Sequence, residues 1–444
     1  MRILFDSRQT QYKTPFGTLR TGECCVLQIR IPTEVGASGV RLMLEDSEHA
    51  VCAELPFSFA SRGEDGYELW RLEFTRQETG LHFYWFRIDK RDGGSFRLFR
   101  QGRDTNMEAG EKWQLSVIPA DFRVPDFAPG AVMYQIFPDR FRRTRVPDPT
   151  GMVGGRSVHT GWEEEPVYRP DSNGEVRNRD FFGGDLAGVR EKLGYLRGLG
   201  VDTLYFCPIF EAPENHRYGT GDYEKIDPML GTEADFRALC AEAHALGMRV
   251  VLDGVFNHQG FVSRYFNGDG SYESVGAVQS QDSPYYPWYH FSHWPDKYDS
   301  WWGIYSLPAV NEAEPSYRRY IFGGADSIIC HWLADGWRLD VADELPDDFI
   351  HGIHAAARQA KPEAVIIGEV WEDGSNKIAY GVRRGHILGG HCDGLMNYPF
   401  RNALLSFLLG EDAFRFRQAM ETLRENYPPF AWRSAMNFLG THDT

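Results

Sequence analysis

The chain has 444 residues, too many for one ordinary domain unless one of them is a barrel of about 250 residues. Its apolar (42%) and charged (25%) fractions are those of a globular chain rather than a disordered or fibrous one. A formal charge of −16 repels nucleic acid and anionic lipid, and a neutral substrate fits it better. Residues 1–124 read as all-β. CCVLQIRI, VRLMLED, YELWRLEF and LHFYWFRI are short and rich in β-branched and aromatic residues, and Gly-, Asp- and Ser-containing turns separate them, which predicts a sandwich. Pro125–Pro129 reads as a linker.

From there the rhythm changes to apolar strands alternating with amphipathic helices. VMYQIF (132–137) predicts a buried strand. The next helix carries Leu186, Val189, Leu193 and Leu196 at helical spacing, with Asp185 as its cap and Gly200 as its stop. VDTLYFCPI predicts a second strand. GTEADFRALCAEAHALG predicts a helix with a capping pair, Thr232 and Asp235, and a face of Phe236, Leu239, Ala243 and Leu246. RVVLDGVF, GWRLDVAD, AVIIGEVW, DGLMNYP and SAMNFLGTHD continue the beat. Parallel pairing with right-handed crossovers follows, and residues 125–444 are expected to form a (β/α)8 barrel. Residues 257–314 interrupt it with a Gly-, Ser-, Tyr- and Trp-rich insertion, too long for a bare loop and expected to be a small subdomain. The chain stops at Thr444, directly after the seventh strand. An eighth strand is therefore expected to be missing, leaving an open edge and lower stability than a longer chain would have.

The seven Cys are scattered, odd in number and without C-x-x-C spacing, which argues against a disulfide framework and for a reducing compartment. MRILFDSRQTQYK has no apolar h-region, and no run approaches the length of a membrane span. A cytoplasmic location without a signal peptide is the expectation. The 12 Trp, 21 Tyr and 30 Phe supply ring surface for stacking on sugars as well as for cores. The cluster YYPWYHFSHWPDKYDSWW (285–302) fits either a substrate path or subdomain packing.

The chemical signal lies at the strand ends, where a (β/α)8 barrel carries its active site. Asp253 ends the third strand, Arg338 and Asp340 the fourth, Glu369 the fifth, and His442 and Asp443 the seventh. Each follows an apolar run in which an unpartnered charge would be costly. Charges meeting in one cleft satisfy one another and shift one another's pKa.

DGVFNH (253–258), GWRLDVADE (336–344), GEVW (368–371) and FLGTHD (438–443) resemble, in order and spacing, the four catalytic regions of the α-amylase clan. ENHRYGTGDYEKIDP (214–228) resembles the substrate loop after strand two, and FFGGDLAGV (181–189) is similar too. SLPAVN (306–311) and the residues around VADE are similar to the neopullulanase, cyclomaltodextrinase and maltogenic amylase group, which usually has Asn where Asp343 stands. The N-terminal sandwich resembles the module preceding the barrel there. The resemblance implies a retaining glycoside hydrolase that cleaves α-1,4 and also α-1,6 bonds in maltooligosaccharides, cyclodextrins, pullulan or starch. It implies Asp340 as nucleophile, Glu369 as acid and then base, and Asp443 as the third carboxylate, binding sugar hydroxyls. Arg338, two residues before Asp340 and on the same face, is expected to keep it ionised. Glu369 must be protonated near neutral pH, so burial and its acidic neighbours are expected to raise its pKa. His258 and His442 are expected to hydrogen-bond sugar hydroxyls, Tyr218 and Trp371 to stack on sugar, and Asp253 and Asn257 to shape the cleft.

No cofactor is expected to be required. Clan members often bind calcium, and Gly184 and Asp185 are the candidate positions. The loop RRTRVPDPTGMVGG is basic and lacks the Asn/Asp-rich run such a site wants, so a calcium site there is expected to be weak or absent. The implied partner is an α-glucan, with neither nucleic acid nor membrane, and the N-terminal module implies a homodimer. Two other readings use the same residues: an α-glucanotransferase or branching enzyme, and an inactive truncated fragment.

Overall fold

The computed structural model describes residues 2–107 and 109–444. They form two compact units, Met1–Arg123 with Trp371–Asn437, and Val124–Val370 with Phe438–Thr444. No helix among the described residues is long and apolar enough to cross a membrane.

In the first unit β1 (Cys24–Pro32), β2 (Ala37–Glu45), β3 (Tyr67–Thr75), β4 (Gly80–Lys90), β5 (Ser95–Gln101) and β6 (Trp113–Ile118) supply two mainly antiparallel sheets. β1 pairs with β3 along its whole length, and β4 pairs with β2, β5 and β6. Period-two alternation is visible in the burial: Cys25, Leu27, Ile29 and Ile31 of β1 point inward, as do Trp70, Leu72 and Phe74 of β3. Phe86 and Trp113, whose rings lie 5.2 Å apart, join them in the core.

In the second unit β7 (Met133–Ile136) begins a parallel sheet. α1 (Leu186–Gly198), β8 (Thr203–Phe206), α2 (Glu233–Ala245), β9 (Arg249–Gly254), β10 (Gly336–Leu339), α3 (Asp347–Ala360) and β11 (Val365–Gly368) follow. The strands pair in chain order, β7–β8–β9–β10–β11. Asp185 caps α1 by accepting from the Gly188 amide, and Leu186, Val189, Leu193 and Leu196 are all buried. Thr232 and Asp235 form a reciprocal capping box on α2, whose Phe236, Leu239 and Ala243 are buried. Leu246, expected on the same face, is 40% exposed, because the helix ends at Ala245 and Gly247 (φ 72°) turns the chain away.

The late elements differ from the sequence expectation. The sixth strand is cut to Gly394–Leu395, because Asn397 caps a helix, α4 (Tyr398–Leu408), with Pro399 in its first turn. The seventh is reduced to one parallel bridge, Met436 with Met396. A short helix, Pro429–Arg433, runs up to it, and the chain turns beyond, where the Asp443 amide donates to the Thr441 hydroxyl at 3.2 Å. Residues 371–437 fall in the first unit. There α5 (Ala413–Asn426) presents Glu425, which accepts from Arg8 Nε at 2.8 Å, from Arg100 Nη2 at 2.9 Å and from the Ser7 hydroxyl. A helix's period shows which of its faces is apolar but not which sheet that face covers.

Residues 257–314 are tied at their base by the bridges His258 to Ala309 and Ser300 to Pro308. Tyr265, Phe266, Trp288 and Tyr289 are buried among one another, so most of the aromatic run packs the insertion. Trp302 is the exception, at 76% exposure.

Candidate active site

Strand register assembles the site. Asp253 of β9 sits opposite Arg338 of β10, and Leu339 of β10 opposite Gly368 of β11. Asp340 and Glu369 are the next residues of those two strands, and the Glu369 amide donates to the Leu339 carbonyl at 3.0 Å. The two acids thus leave adjacent strands side by side, about 4.8 Å apart by ordinary strand spacing.

Arg338 is 1% exposed and lies among them. Its Nη1 donates to Asp253 at 2.9 and 3.1 Å and to Asp340 Oδ1 at 2.7 Å, while Nη2 lies 2.9 Å from Glu369 Oε2. Asp253 also accepts from the Tyr205 and Tyr218 hydroxyls at 2.7 and 2.8 Å. It is a fully bonded anchor for the arginine. Asp340 and Glu369 are 6% and 7% exposed, and Glu369 Oε2 accepts the Val341 amide at 2.7 Å. That amide points at Glu369 from a left-handed backbone (Val341 φ 46°), a conformation β-branched residues rarely take and one found where surroundings impose it.

Arg338 acts on Asp340 in the direction the sequence reading expects, drawing its carboxyl down, but other influences oppose it. Burial pushes the Asp340 carboxyl well above its ordinary range, and Glu369 and Asp253 push it further. Arg338 opposes them but divides one charge among three acids.

His442 and Asp443 join through Tyr218. The Tyr218 ring stacks on His442 at 5.2 Å and 15°, and its hydroxyl lies 2.6 Å from His442 Nε2. Since that hydroxyl donates to Asp253, His442 carries its proton on Nε2, and Nδ1 accepts from Gln135 Nε2 at 2.6 Å. Asp443 Oδ1 lies 3.4 Å from His442 Nε2. His258 is 2% exposed, and burial lowers its pKa to about 3, so it is neutral. Asn257 donates to Glu344 Oε2 at 3.2 Å. Trp371 belongs to the first unit, where its ring lies parallel on Tyr398 at 4.2 Å.

The candidate calcium positions lie in a local hydrogen-bond network. Asp185 gives Oδ1 to the Gly188 amide at 2.6 Å and Oδ2 to the amide and hydroxyl of Thr144 at 3.0 and 2.7 Å. The Gly184 amide donates to the Asp139 carbonyl at 3.0 Å. These bonds hold the start of α1.

Sequence reasoning missed Tyr205, Gln135 and Val341. Gln135 carried a signal, a polar side chain inside an apolar strand. Tyr205 did so faintly, as a polar tip on a buried ring, and Val341 not at all.

Residues 135–444 match the family described as Alpha amylase, catalytic domain. The chain belongs to that family. This α-amylase-family chain is 34% identical to an amylopullulanase of Thermoanaerobacterium saccharolyticum over 491 residues, covering 99% of this chain and 37% of that one. It is 34% identical over 331 residues to a cyclomaltodextrinase of Geobacillus thermopakistaniensis (strain MAS1), covering 73% and 51%. Among solved structures, a cyclomaltodextrinase aligns with TM-score 0.64 and 27% identity over 100% of this chain and 72% of that chain. A cyclic alpha-maltosyl-(1-->6)-maltose hydrolase from Arthrobacter globiformis, in complex with maltose, aligns with TM-score 0.60 and 33% identity over 72% and 68%. The chain spans only 37% and 51% of the length of these two curated relatives. The α-amylase catalytic domain is a (β/α)8 barrel, and β7 to β11 are parallel strands of that fold.

Proposed function

We propose that the chain is a retaining hydrolase of α-glucans, cleaving α-1,4 and also α-1,6 bonds in maltooligosaccharides, cyclodextrins, pullulan or starch. The observation that supports this most is the pairing of Asp340 and Glu369 on adjacent strands, both against Arg338. One guanidinium touches both carboxyl groups, at 2.7 and 2.9 Å, which suits the close pair of acids that retaining glycosidases need.

The Asp340 carboxylate attacks the anomeric carbon. The glycosidic C–O bond breaks, and the leaving oxygen takes the proton of Glu369. A glycosyl ester on Asp340 results. Glu369, now a carboxylate, removes a proton from water, whose oxygen attacks the same carbon from the vacated face and frees Asp340. One water is consumed, and the α configuration returns. Asp340 must be ionised when it attacks, and the positive charge developing on the sugar ring favours that, assisted by Arg338. Asp443 holds sugar hydroxyls, His442 fixes the Tyr218 hydroxyl beside it, and His258 serves the same wall as a neutral group. Tyr218 offers a face or edge to a sugar ring. A homodimer through the N-terminal module belongs to the same reading, and light scattering that finds a monomer at micromolar concentration would remove it.

The test is hydrolysis of maltotriose and cyclodextrin by Asp340→Asn and Glu369→Gln. Both are expected to fall about 1,000-fold or more in kcat. Retention of more than a few per cent of activity by both variants overturns the assignment.

A further inference from the structure

We propose that Trp302 is a stacking platform for the substrate, receiving one glucosyl ring of the glucan beside the bond that is cleaved. This rests on the hydrolase reading above and adds to it a specificity-determining residue from the insertion.

The ring is exposed but not loose. Its Nε1–H donates to Glu344 Oε1 at 2.6 Å, and its neighbour Trp301 lies 5.7 Å away at 31°. Trp301 in turn stacks on His258 at 5.3 Å and 28°. The Trp302 backbone is left-handed (φ 50°, ψ 28°), which a bulky residue adopts only under constraint. The constraint is a closed loop: the Trp301 amide donates to Leu307, the Ile304 amide to Trp301, and Ser300 bridges Pro308. A large apolar face is thus held outward at a fixed angle, with 76% of the residue open to solvent.

Its position follows from a run of direct bonds. Glu344, which holds the indole, donates its own amide to the Val341 carbonyl at 2.9 Å. The Val341 amide donates to Glu369 Oε2 at 2.7 Å. On the other side Glu344 Oε2 accepts from Asn257, four residues beyond Asp253 on the segment leaving β9. Trp302 therefore stands on the same strand-end wall as the two acids, three bonded steps from Glu369.

The surroundings select the ligand. Glu344 holds the ring's edge. An acidic neighbour disfavours an anionic ring system such as a nucleotide. A pyranose offers a flat C–H face and no charge, which suits an indole.

The experiment is steady-state kinetics on maltohexaose for the wild type, Trp302→Ala and Trp302→Phe. It is paired with tryptophan fluorescence of Asp340→Asn titrated with the same sugar. Losing a stack that is equal in ground and transition states raises KM and leaves kcat alone. Trp302→Ala is expected to raise KM about tenfold with kcat within about twofold, and Trp302→Phe, which keeps a ring, to raise it less. The sugar is expected to quench the fluorescence of Asp340→Asn and to quench it less when Trp302→Ala is added. Melting curves that overlay the wild type establish that the variants fold. An active wild type with an unchanged KM in Trp302→Ala and undiminished quenching overturns this inference alone. A wild type that neither hydrolyses nor binds maltohexaose overturns the hydrolase reading, and this one with it.

Discussion

Arg338 brings one positive charge to Asp253, Asp340 and Glu369, and the deficit falls on Asp340, whose carboxyl is raised chiefly by burial. The unfolded chain releases that proton near the ordinary value of about 3.9. Between that value and the raised one the native state holds a proton the unfolded state has lost, so stability falls as pH rises through the window. Asp340→Asn removes the conflict. It is expected to melt a few degrees above the wild type at pH 7, by about 3 °C, with the gap closing towards pH 4. Thermal scans across that range check it, and an equal or lower melting temperature at pH 7 counts against the account. Arg338→Lys keeps the charge but loses the fork that spans three acids. A drop of about 100-fold in kcat/KM with unchanged circular dichroism is expected.

Elements set what side chains alone cannot. The spacing of the two acids is a property of the β10–β11 ladder, since Leu339 pairs with Gly368 and each acid is the next residue along. This was legible in the sequence, because apolar runs ending in charge mark strand ends whatever the loops between them do. Other features were not legible. The sharing of Arg338 needs three dimensions, because Asp253 and Glu369 are brought to it by the strands on either side of its own. The loss of the seventh strand was masked by SAMNFL, whose apolar pattern suits a strand although only Met436 forms a bridge. Trp302 could not be told from the buried Trp288, because one aromatic-rich run contains both the core of the insertion and its exposed ring. In α5, burial alone would raise the Glu425 carboxyl, but Arg100, Ser7 and Arg8 outweigh it and hold it low. A lowered native pKa stabilises above the unfolded value of about 4.3 and ceases to as pH falls below it. Glu425→Gln is therefore expected to destabilise by about 3 kcal/mol at pH 7, through two arginines left unbalanced, and by less at pH 3. Urea titrations at both pH values measure the difference, and equal losses would show that the charge is not the cause.

At the scale of the whole molecule, a net charge of −16 bears on substrate choice. Carboxymethyl-amylose is expected to be a poorer substrate than amylose of equal length, with the gap narrowing as salt rises from about 0.01 M to 0.15 M and the screening length shrinks. A salt-independent gap would point to steric exclusion instead. The origin of the site has a practical corollary. Tyr205, Asp253, Arg338 and Glu369 come from four different strands. No fragment holding only one of those strands can display the constellation. Turnover is therefore a natural gauge of whether the parallel sheet has closed, and an assay during refolding would time that event without any attached dye.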